Sequence, residues 1–213
     1  IDSPNDLLGI SYIKAIKKLN SKIKPITIKR TNDYHDSKAN NKISSATSIR
    51  NLINNNKSVK KYVPEQTLKY IKKIDLNDFY LIIKYKIMTE DLTKYQDIDI
   101  NLNNLLKKHI IESDSVEELI NNVKCKNYTY NKLKRCLSHI LCCLQKDNYK
   151  IEYIHILGFN QKGKNYLNKL KKEISLPLIT NYDELLDYQI LTDKIYNLIN
   201  NDIKPNKPIF KNY

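Results

Sequence analysis

Apolar residues recur at three- and four-residue spacings along most of the chain, which is typical of amphipathic helices. The first predicted helix covers residues 4 to 20, with Pro4 at its first position and Leu8, Tyr12 and Ile16 among its apolar residues. A second helix begins near Ser45 and ends near Asn54. The same spacing predicts further helices over residues 64–73, 76–88, 102–111, 115–123, 129–145, 165–172 and 183–200.

A different pattern precedes the second helix. Residues 24–29 read Lys-Pro-Ile-Thr-Ile-Lys and predict a strand that ends at Arg30, and the polar residues 31–42 predict a loop. A strand, a loop and a helix start in this order are typical of nucleotide-binding α/β domains, in which ligands bind beyond the carboxyl ends of the strands. One strand needs partners, and the chain begins with Ile1 rather than Met. We therefore expect a fragment, with residues 1–56 as the C-terminal part of a Rossmann-like domain.

Two later segments are rich in β-branched and apolar residues. Residues 153–159 and 175–180 flank one predicted helix, and we expect them to pair as a small parallel element around it. The tail that carries Pro205 and Pro208 is expected to be loose. The predicted fold is mainly α with a small α/β part, with residues 57–213 forming a mostly helical second domain.

The segment Ile43-Ser44-Ser45-Ala46-Thr47-Ser48-Ile49-Arg50 carries the clearest candidate chemistry. Ser44 or Ser45 can cap the helix start, where unpaired backbone N–H groups and the positive end of the helix dipole favour an anion. Arg50 follows in the second helical turn, within reach of an anion held there. The pattern therefore predicts a phosphate site, and the simpler alternative is an ordinary capped helix with a surface arginine.

The charge balance favours a polyanionic partner. The chain has 37 basic and 23 acidic residues, a formal net charge of +14, and nucleic acid is the usual partner of such a protein. A bias toward A/T-rich codons is an alternative source of the lysines, because Lys, Asn, Ile and Tyr are all frequent. The position of the charges is therefore more informative than their sum.

Cations and tyrosines alternate around the predicted start of the helix at Thr129. This basic-aromatic cluster predicts RNA binding, since cations reach phosphates and tyrosines stack on unpaired bases. A solvated helix start is the alternative. The candidate RNA-binding residues are Lys124, Lys126, Tyr128, Lys132 and Arg135. A second basic cluster, which favours a solvated face, consists of Lys162, Lys164, Lys169, Lys171 and Lys172.

Several classes of site are disfavoured. The four cysteines form no C-x-x-C pair, so neither a zinc site nor a disulfide framework is expected, and a reducing cytoplasm fits. No Ser-His-Asp or Cys-His set is recognisable, and His139 is predicted to be a hydrogen-bonded core residue. The longest apolar runs are too short to span a membrane.

The motifs resemble those of the bacterial tRNA(Met) cytidine acetate ligase family. The resemblance rests on the segments 3–12, 25–30, 34–36, 43–50, 124–129, 133–144 and 157–177, which occur in the family's order. It implies an N-terminal nucleotidyltransferase-like domain of the H-x-G-H superfamily, followed by a helical region that helps to hold tRNA. It implies activation of acetate by ATP, with Mg²⁺, to acetyl-adenylate, and transfer of the acetyl group to N4 of the wobble cytidine of elongator tRNA(Met).

By this resemblance the ATP-binding residues are Asn5, Arg30, Ser44, Ser45, Thr47 and Arg50. The segment 43–50 resembles the superfamily motif I-S-S-T-x-x-R, with Ala46 inserted before Thr47. The family's histidine motif is not present, so this chain is expected to be inactive alone. Two alternatives stay open: a non-catalytic tRNA- or RNA-binding module, and a nucleotidyltransferase with a different acceptor.

Overall fold

The computed structural model describes residues 4–28, 44–146, 151–181, 183, 187–199 and 209–211. The chain divides into two compact units, Ile1–Ile74 and Asp75–Tyr213. The boundary predicted after Asn56 therefore falls inside the first unit. The segment beyond it is held there, since Val59 is buried and the Lys73 ammonium donates to the Asn54 carbonyl at 3.2 Å.

The described residues of the first unit form the helices α1 (Pro4–Lys18), α2 (Ala46–Asn54) and α3 (Glu65–Leu68). The first two confirm the helices predicted from spacing. The third is shorter than the predicted range 64–73. Pro64 gives α3 no side-chain cap and none of its residues is buried, so little tertiary packing supports a longer helix.

The predicted strand over residues 24–29 is wrong in its described part. Residues 24–28 have no regular secondary structure, and Ile26 and Ile28 are 89% and 93% exposed. A strand is stable only when it pairs with neighbours, and no described residue pairs with this segment. Arg30 and the predicted loop over 31–42 lie outside the described residues.

Four helices form the core of the second unit: α4 (Tyr80–Thr89), α5 (Ile100–His109), α6 (Val116–Val123) and α7 (Tyr130–Leu141). A 3₁₀ turn over Leu76–Phe79, capped by Asp75, leads into α4. The helices bury their apolar faces against one another, as the spacing predicts. The side chains that are at most 1% exposed include Ile83, Ile87, Leu102, Leu106, Leu119, Ile120, Leu133, Leu137 and Ile140.

A charged network fixes the end of α4. The Glu90 carboxylate accepts from the ammonium groups of Lys86 at 2.7 Å and Lys94 at 2.8 Å, and from the Tyr95 hydroxyl. Burial raises the pKa of Glu90, but these three hydrogen bonds outweigh burial and lower the pKa to about 2. The network therefore anchors the segment after α4 through an ionised carboxylate.

The rest of the second unit is a small α/β part. It contains β1 (Ile154–His155), β2 (Gly158–Asn160), α8 (Gln161–Leu170), β3 (Leu178–Ile179), α9 (Asp187–Asn197) and β4 (Ile209–Lys211). β1 and β3 pair in parallel, with Ile154 opposite Leu178, which confirms the predicted two-stranded element around a helix. Residues 205–208, which were expected to be loose, lie outside the described residues, and β4 beyond them pairs in parallel with β2. In the described parts of the chain, no helix has the length and apolar character needed to cross a membrane.

Candidate functional site

Ser45 caps the start of α2. Its Oγ accepts from the backbone N–H of Ser48 at 3.1 Å, and its extended backbone is typical of an N-cap. The Ser48 hydroxyl donates to the Ser45 carbonyl at 2.8 Å, and both side chains are buried. These two hydrogen bonds between Ser45 and Ser48 fix the start of the helix, and they use the N–H group of Ser48.

The remaining groups at this end suit an anion. The N–H groups of Ala46 and Thr47 have no partner inside the helix, and the first turn carries no acidic side chain. Thr47 and Arg50 are exposed. The Ser44 hydroxyl is a buried atom without a hydrogen-bond partner among the described residues. The helix start therefore presents donors, the positive end of a dipole and one guanidinium.

The structure says less about the other predicted ATP-binding residues, Asn5 and Arg30. Asn5 is exposed in the first turn of α1, and no hydrogen bond joins it to residues 44–50 within the described chain. α1 and residues 21–27 line a cavity of about 490 Å³ whose lining is mostly apolar, with Tyr12, Ile16 and Ile23 among it. The start of α2 thus has the donors that an anion site needs, and Arg30 lies outside the described residues.

The basic-aromatic cluster surrounds the connection from α6 to α7. Cys125 and Tyr128 exchange two backbone hydrogen bonds of 3.1 Å, which close a tight turn with Lys126 at its tip. Lys124 and Lys126 are exposed, and neither forms an ion pair with a described residue. Thr129 begins α7 without a side-chain cap bond. Two unpaired cations therefore lie beside an open helix start.

Tyr128 has a structural position. It is 7% exposed, and its hydroxyl donates to the Asp99 carboxylate at 2.7 Å. Burial and this hydrogen bond raise the pKa of Tyr128 to about 12. The Lys132 ammonium lies 4.8 Å from the centre of the ring. The ring is covered in this structure, so base stacking by Tyr128 finds no support and the lysines remain the candidates.

Arg135 is bound to a carboxylate that the sequence did not single out. Its Nε donates to Asp97 Oδ2 at 2.8 Å, although its side chain is 56% exposed. Burial raises the pKa of Asp97, but hydrogen bonds from Arg135 and Gln96 lower it by more. Asp97 has a φ of 64°, which Asp tolerates better than most residues. Asp97 and Asp99 are distant in sequence from the partners they hold, so local spacing contains no signal for these contacts.

We expect Tyr128→Phe to lower the free energy of unfolding by about 2 kcal/mol, because it removes a buried hydrogen bond to a charged acceptor. Urea denaturation measures the loss. The tRNA affinity of the folded variant is expected to stay within about twofold of wild type, because the hydroxyl that is removed donates to Asp99 inside the protein. A large loss of affinity with unchanged stability would instead return Tyr128 to the RNA-binding residues.

Cys136 is buried in the core and His139 is half-buried beside it on α7. Burial raises the pKa of the Cys136 thiol to about 11, and His139 Nδ1 lies 3.0 Å from the Gln96 carbonyl oxygen, which confirms the predicted hydrogen-bonded histidine. Within the described ranges, no group of three or more His, Cys, Asp or Glu side chains is arranged to hold a metal ion.

The chain has clear relatives among curated proteins. It is 33% identical over 225 residues to a tRNA(Met) cytidine acetate ligase of Clostridium perfringens, which covers 97% of this chain and 56% of the relative. It is 37% identical over 211 residues to the enzyme of that name in Caldicellulosiruptor saccharolyticus, covering 91% of this chain and 51% of the relative. The chain thus spans about half the length of these relatives.

Solved structures give the same fold. The crystal structure of Thermotoga maritima TmcAL without ligand superposes with a TM-score of 0.80 at 22% identity, covering 100% of this chain and 61% of that chain. The α-thio-ATP-bound form of that protein gives a TM-score of 0.78. Residues 1–208 match the sequence model described as HIGH Nucleotidyl Transferase. The match over residues 1–208 shows that the chain belongs to the HIGH nucleotidyl transferase family.

Proposed function

We propose that this chain is the ATP-phosphate-binding and tRNA-binding part of a cytoplasmic ligase that acetylates the wobble cytidine of elongator tRNA(Met). The observation that carries the proposal is the start of α2, where a capped helix presents N–H groups that have no partner within the helix, close in sequence to Thr47 and Arg50. The ligase reaction, the acetate and the tRNA in this proposal are taken from the name of the curated relatives, tRNA(Met) cytidine acetate ligase. The choice of ATP as the nucleotide is supported by the α-thio-ATP that the Thermotoga maritima protein binds.

ATP phosphates would lie at the N-terminal end of α2. The N–H groups of Ala46 and Thr47 donate to phosphate oxygens, and the Ser44 and Thr47 hydroxyls add donors. Arg50 offers a planar fork that binds phosphate oxygens in pairs. Asn5 and Arg30 remain part of the proposal through their motifs. No group of three or more His, Cys, Asp or Glu side chains among the described residues is arranged to hold a metal ion. Mg²⁺ would arrive with ATP and be held mainly by its phosphates.

The reaction needs positioning and charge neutralisation more than acid–base groups. An acetate oxygen attacks the α-phosphorus, the bond to the β-phosphate oxygen breaks, and pyrophosphate leaves with its electron pair. The cytidine N4 then attacks the acetyl carbonyl, AMP leaves and a proton goes to solvent. Cationic donors at α2 stabilise the charge that develops on the phosphates, which fits a site without a Ser-His-Asp or Cys-His set.

The second unit provides the face for tRNA. Lys124 and Lys126 form no ion pair with a described residue, Lys132 is held over Tyr128, and the Arg135 side chain is 56% exposed. These cations surround the uncapped start of α7, so phosphates can be neutralised together. Sequence-independent contacts of this kind position tRNA and release counterions.

We expect the triple variant Lys124→Ala, Lys126→Ala, Lys132→Ala to weaken tRNA binding by about tenfold, and to make the binding less salt-dependent because fewer phosphates are neutralised. Filter binding of elongator tRNA(Met) at several salt concentrations measures both effects. The matched control, which removes the same charge from α8 and its end, is Lys162→Ala, Lys169→Ala, Lys172→Ala. Equal losses in the two variants would mean that diffuse charge binds the tRNA.

A further inference from the structure

A small cavity lies between α8 and the β1–β3 sheet. Its volume is about 220 Å³, smaller than the roughly 300–1,000 Å³ of pockets that enclose drug-sized ligands. A single nucleobase with its sugar-phosphate outside is a better match for this size. The lining consists of Ile156, Phe159, Lys164, Leu167, Asn168, Lys171, Leu178 and Thr180.

The cavity lies at the carboxyl ends of two parallel strands. Ile156 directly follows β1 and Thr180 directly follows β3, and the Ile156 N–H donates to the Ile179 carbonyl at 2.9 Å. α8 is part of the crossover between these strands. Ligands of parallel α/β folds bind at this edge, so the topology places the cavity where a ligand site is expected.

The cavity has an apolar wall and a cationic rim. Ile156, Leu167 and Leu178 are half-buried and form the apolar part. Lys164 and Lys171 are exposed and lie seven residues apart, two turns along one face of α8 and its C-terminal cap. No carboxylate lines the cavity, and neither lysine forms an ion pair within the described residues. An occupant with a flat apolar body and a negative charge is therefore favoured.

We infer that this cavity receives one unpaired nucleotide of the bound tRNA. The base lies against the apolar wall, and its phosphate lies between the ammonium groups of Lys164 and Lys171. The side chains of Asn168 and Thr180 are placed to hydrogen-bond to the edge of the base. This inference rests on the proposed function, because tRNA is taken as the source of the nucleotide.

The rest of α8 supports an RNA chain rather than a free nucleotide. Lys162, Lys169 and Lys172 are exposed but do not line the cavity, and the helix itself has no acidic residue. A strand that continues beyond the cavity therefore meets no carboxylate along α8, while its closest phosphate contacts are with Lys164 and Lys171. The second basic cluster, expected to be a solvated face, thus contains two residues that border a cavity and three that flank it.

The test uses the 213-residue chain with elongator tRNA(Met) and with a single-stranded oligoribonucleotide that carries 4-thiouridine. We expect Lys164→Ala, Lys171→Ala to weaken oligonucleotide binding about tenfold, against less than about twofold for the control Lys169→Ala, Lys172→Ala. Thr180→Val leaves the charge unchanged and is expected to weaken binding about threefold. Photocrosslinks are expected in the peptide that covers residues 156–171. Circular dichroism checks that each variant is folded.

Each outcome decides the inference. Equal losses in the two lysine double variants, or crosslinks only outside residues 156–180, would overturn the cavity assignment while tRNA binding by the wild type leaves the proposed function intact. Failure of the wild-type chain to bind tRNA would overturn both. Binding of AMP that is lost in Lys164→Ala, Lys171→Ala, without any effect on RNA, would assign the cavity to free mononucleotides and overturn the RNA assignment.

Discussion

Replacing Arg50 with alanine is expected to lower acetate-dependent ATP–pyrophosphate exchange by about 100-fold. The exchange is measured in the complete translation product that carries this chain. Arg50 is exposed in the second turn of α2. It follows the N–H groups of Ala46 and Thr47, to which the Ser45 cap does not bind. Its guanidinium would neutralise phosphate charge in the adenylation step, and nothing else in α2 is cationic.

Two further variants separate phosphate binding from helix stability. Arg50→Lys keeps the positive charge but loses the planar guanidinium that can bind two phosphate oxygens at once. We therefore expect an intermediate, about tenfold, loss of the exchange rate. Asn51→Ala changes the next exposed residue of the same helix and is expected to leave the exchange rate nearly unchanged. An Arg50→Ala enzyme with wild-type exchange would remove α2 from the ATP site, and equal losses in Arg50→Ala and Asn51→Ala would indicate a folding effect.

Glu90→Gln is expected to lower the free energy of unfolding at pH 7 by about 2 kcal/mol, because it leaves Lys86 partly buried without its counter-charge. Lys86 and Glu90 are 13% and 23% exposed, so solvent screens the pair only in part. Urea denaturation measures the effect. Glu112→Gln, an exposed glutamate of the second unit, is the matched control and is expected to change stability by less than about 0.5 kcal/mol.

The same variant has a defined pH dependence. The Glu90 pKa is lowered from 4.5 to about 2 in the folded chain, so its stabilisation is complete above 4.5 and is lost as the pH falls through that range. The difference in stability between wild type and Glu90→Gln is therefore expected to shrink between pH 4.5 and pH 2. A difference that stays constant over that range would show that the carboxylate charge does not stabilise the fold.

Local signals in the sequence predicted what depends on local structure. The cap at Ser45, the helices α1 and α2, and the apolar faces of α4 to α7 follow from side-chain spacing and backbone hydrogen bonding within a few residues. The β1–β3 pairing was also predictable, because a helix between two β-rich segments favours a parallel crossover. These features determine most of the fold.

Contacts between distant residues were not predictable. The sequence placed Tyr128 among the stacking residues because lysines surround it. Its actual partner, Asp99, lies 29 residues earlier, where local spacing gives no sign of the contact. The strand predicted near residue 24 has apolar alternation but no neighbour among the described residues. β4 is only three residues long, and its partner β2 lies far earlier in the chain, so no local pattern predicted that pair. The cavity beside α8 depends on two strands and a helix together, so a lysine count alone could not separate Lys164 and Lys171 from their neighbours.

We propose that the protein uses ATP and acetate to modify a tRNA. The most direct measurement incubates the complete translation product with ATP, acetate and elongator tRNA(Met), digests the tRNA and quantifies N4-acetylcytidine by mass spectrometry. We predict one N4-acetylcytidine at the wobble position, formed only when ATP and acetate are both present. Pyrophosphate release that is indifferent to acetate, with no N4-acetylcytidine in the tRNA, would contradict the account.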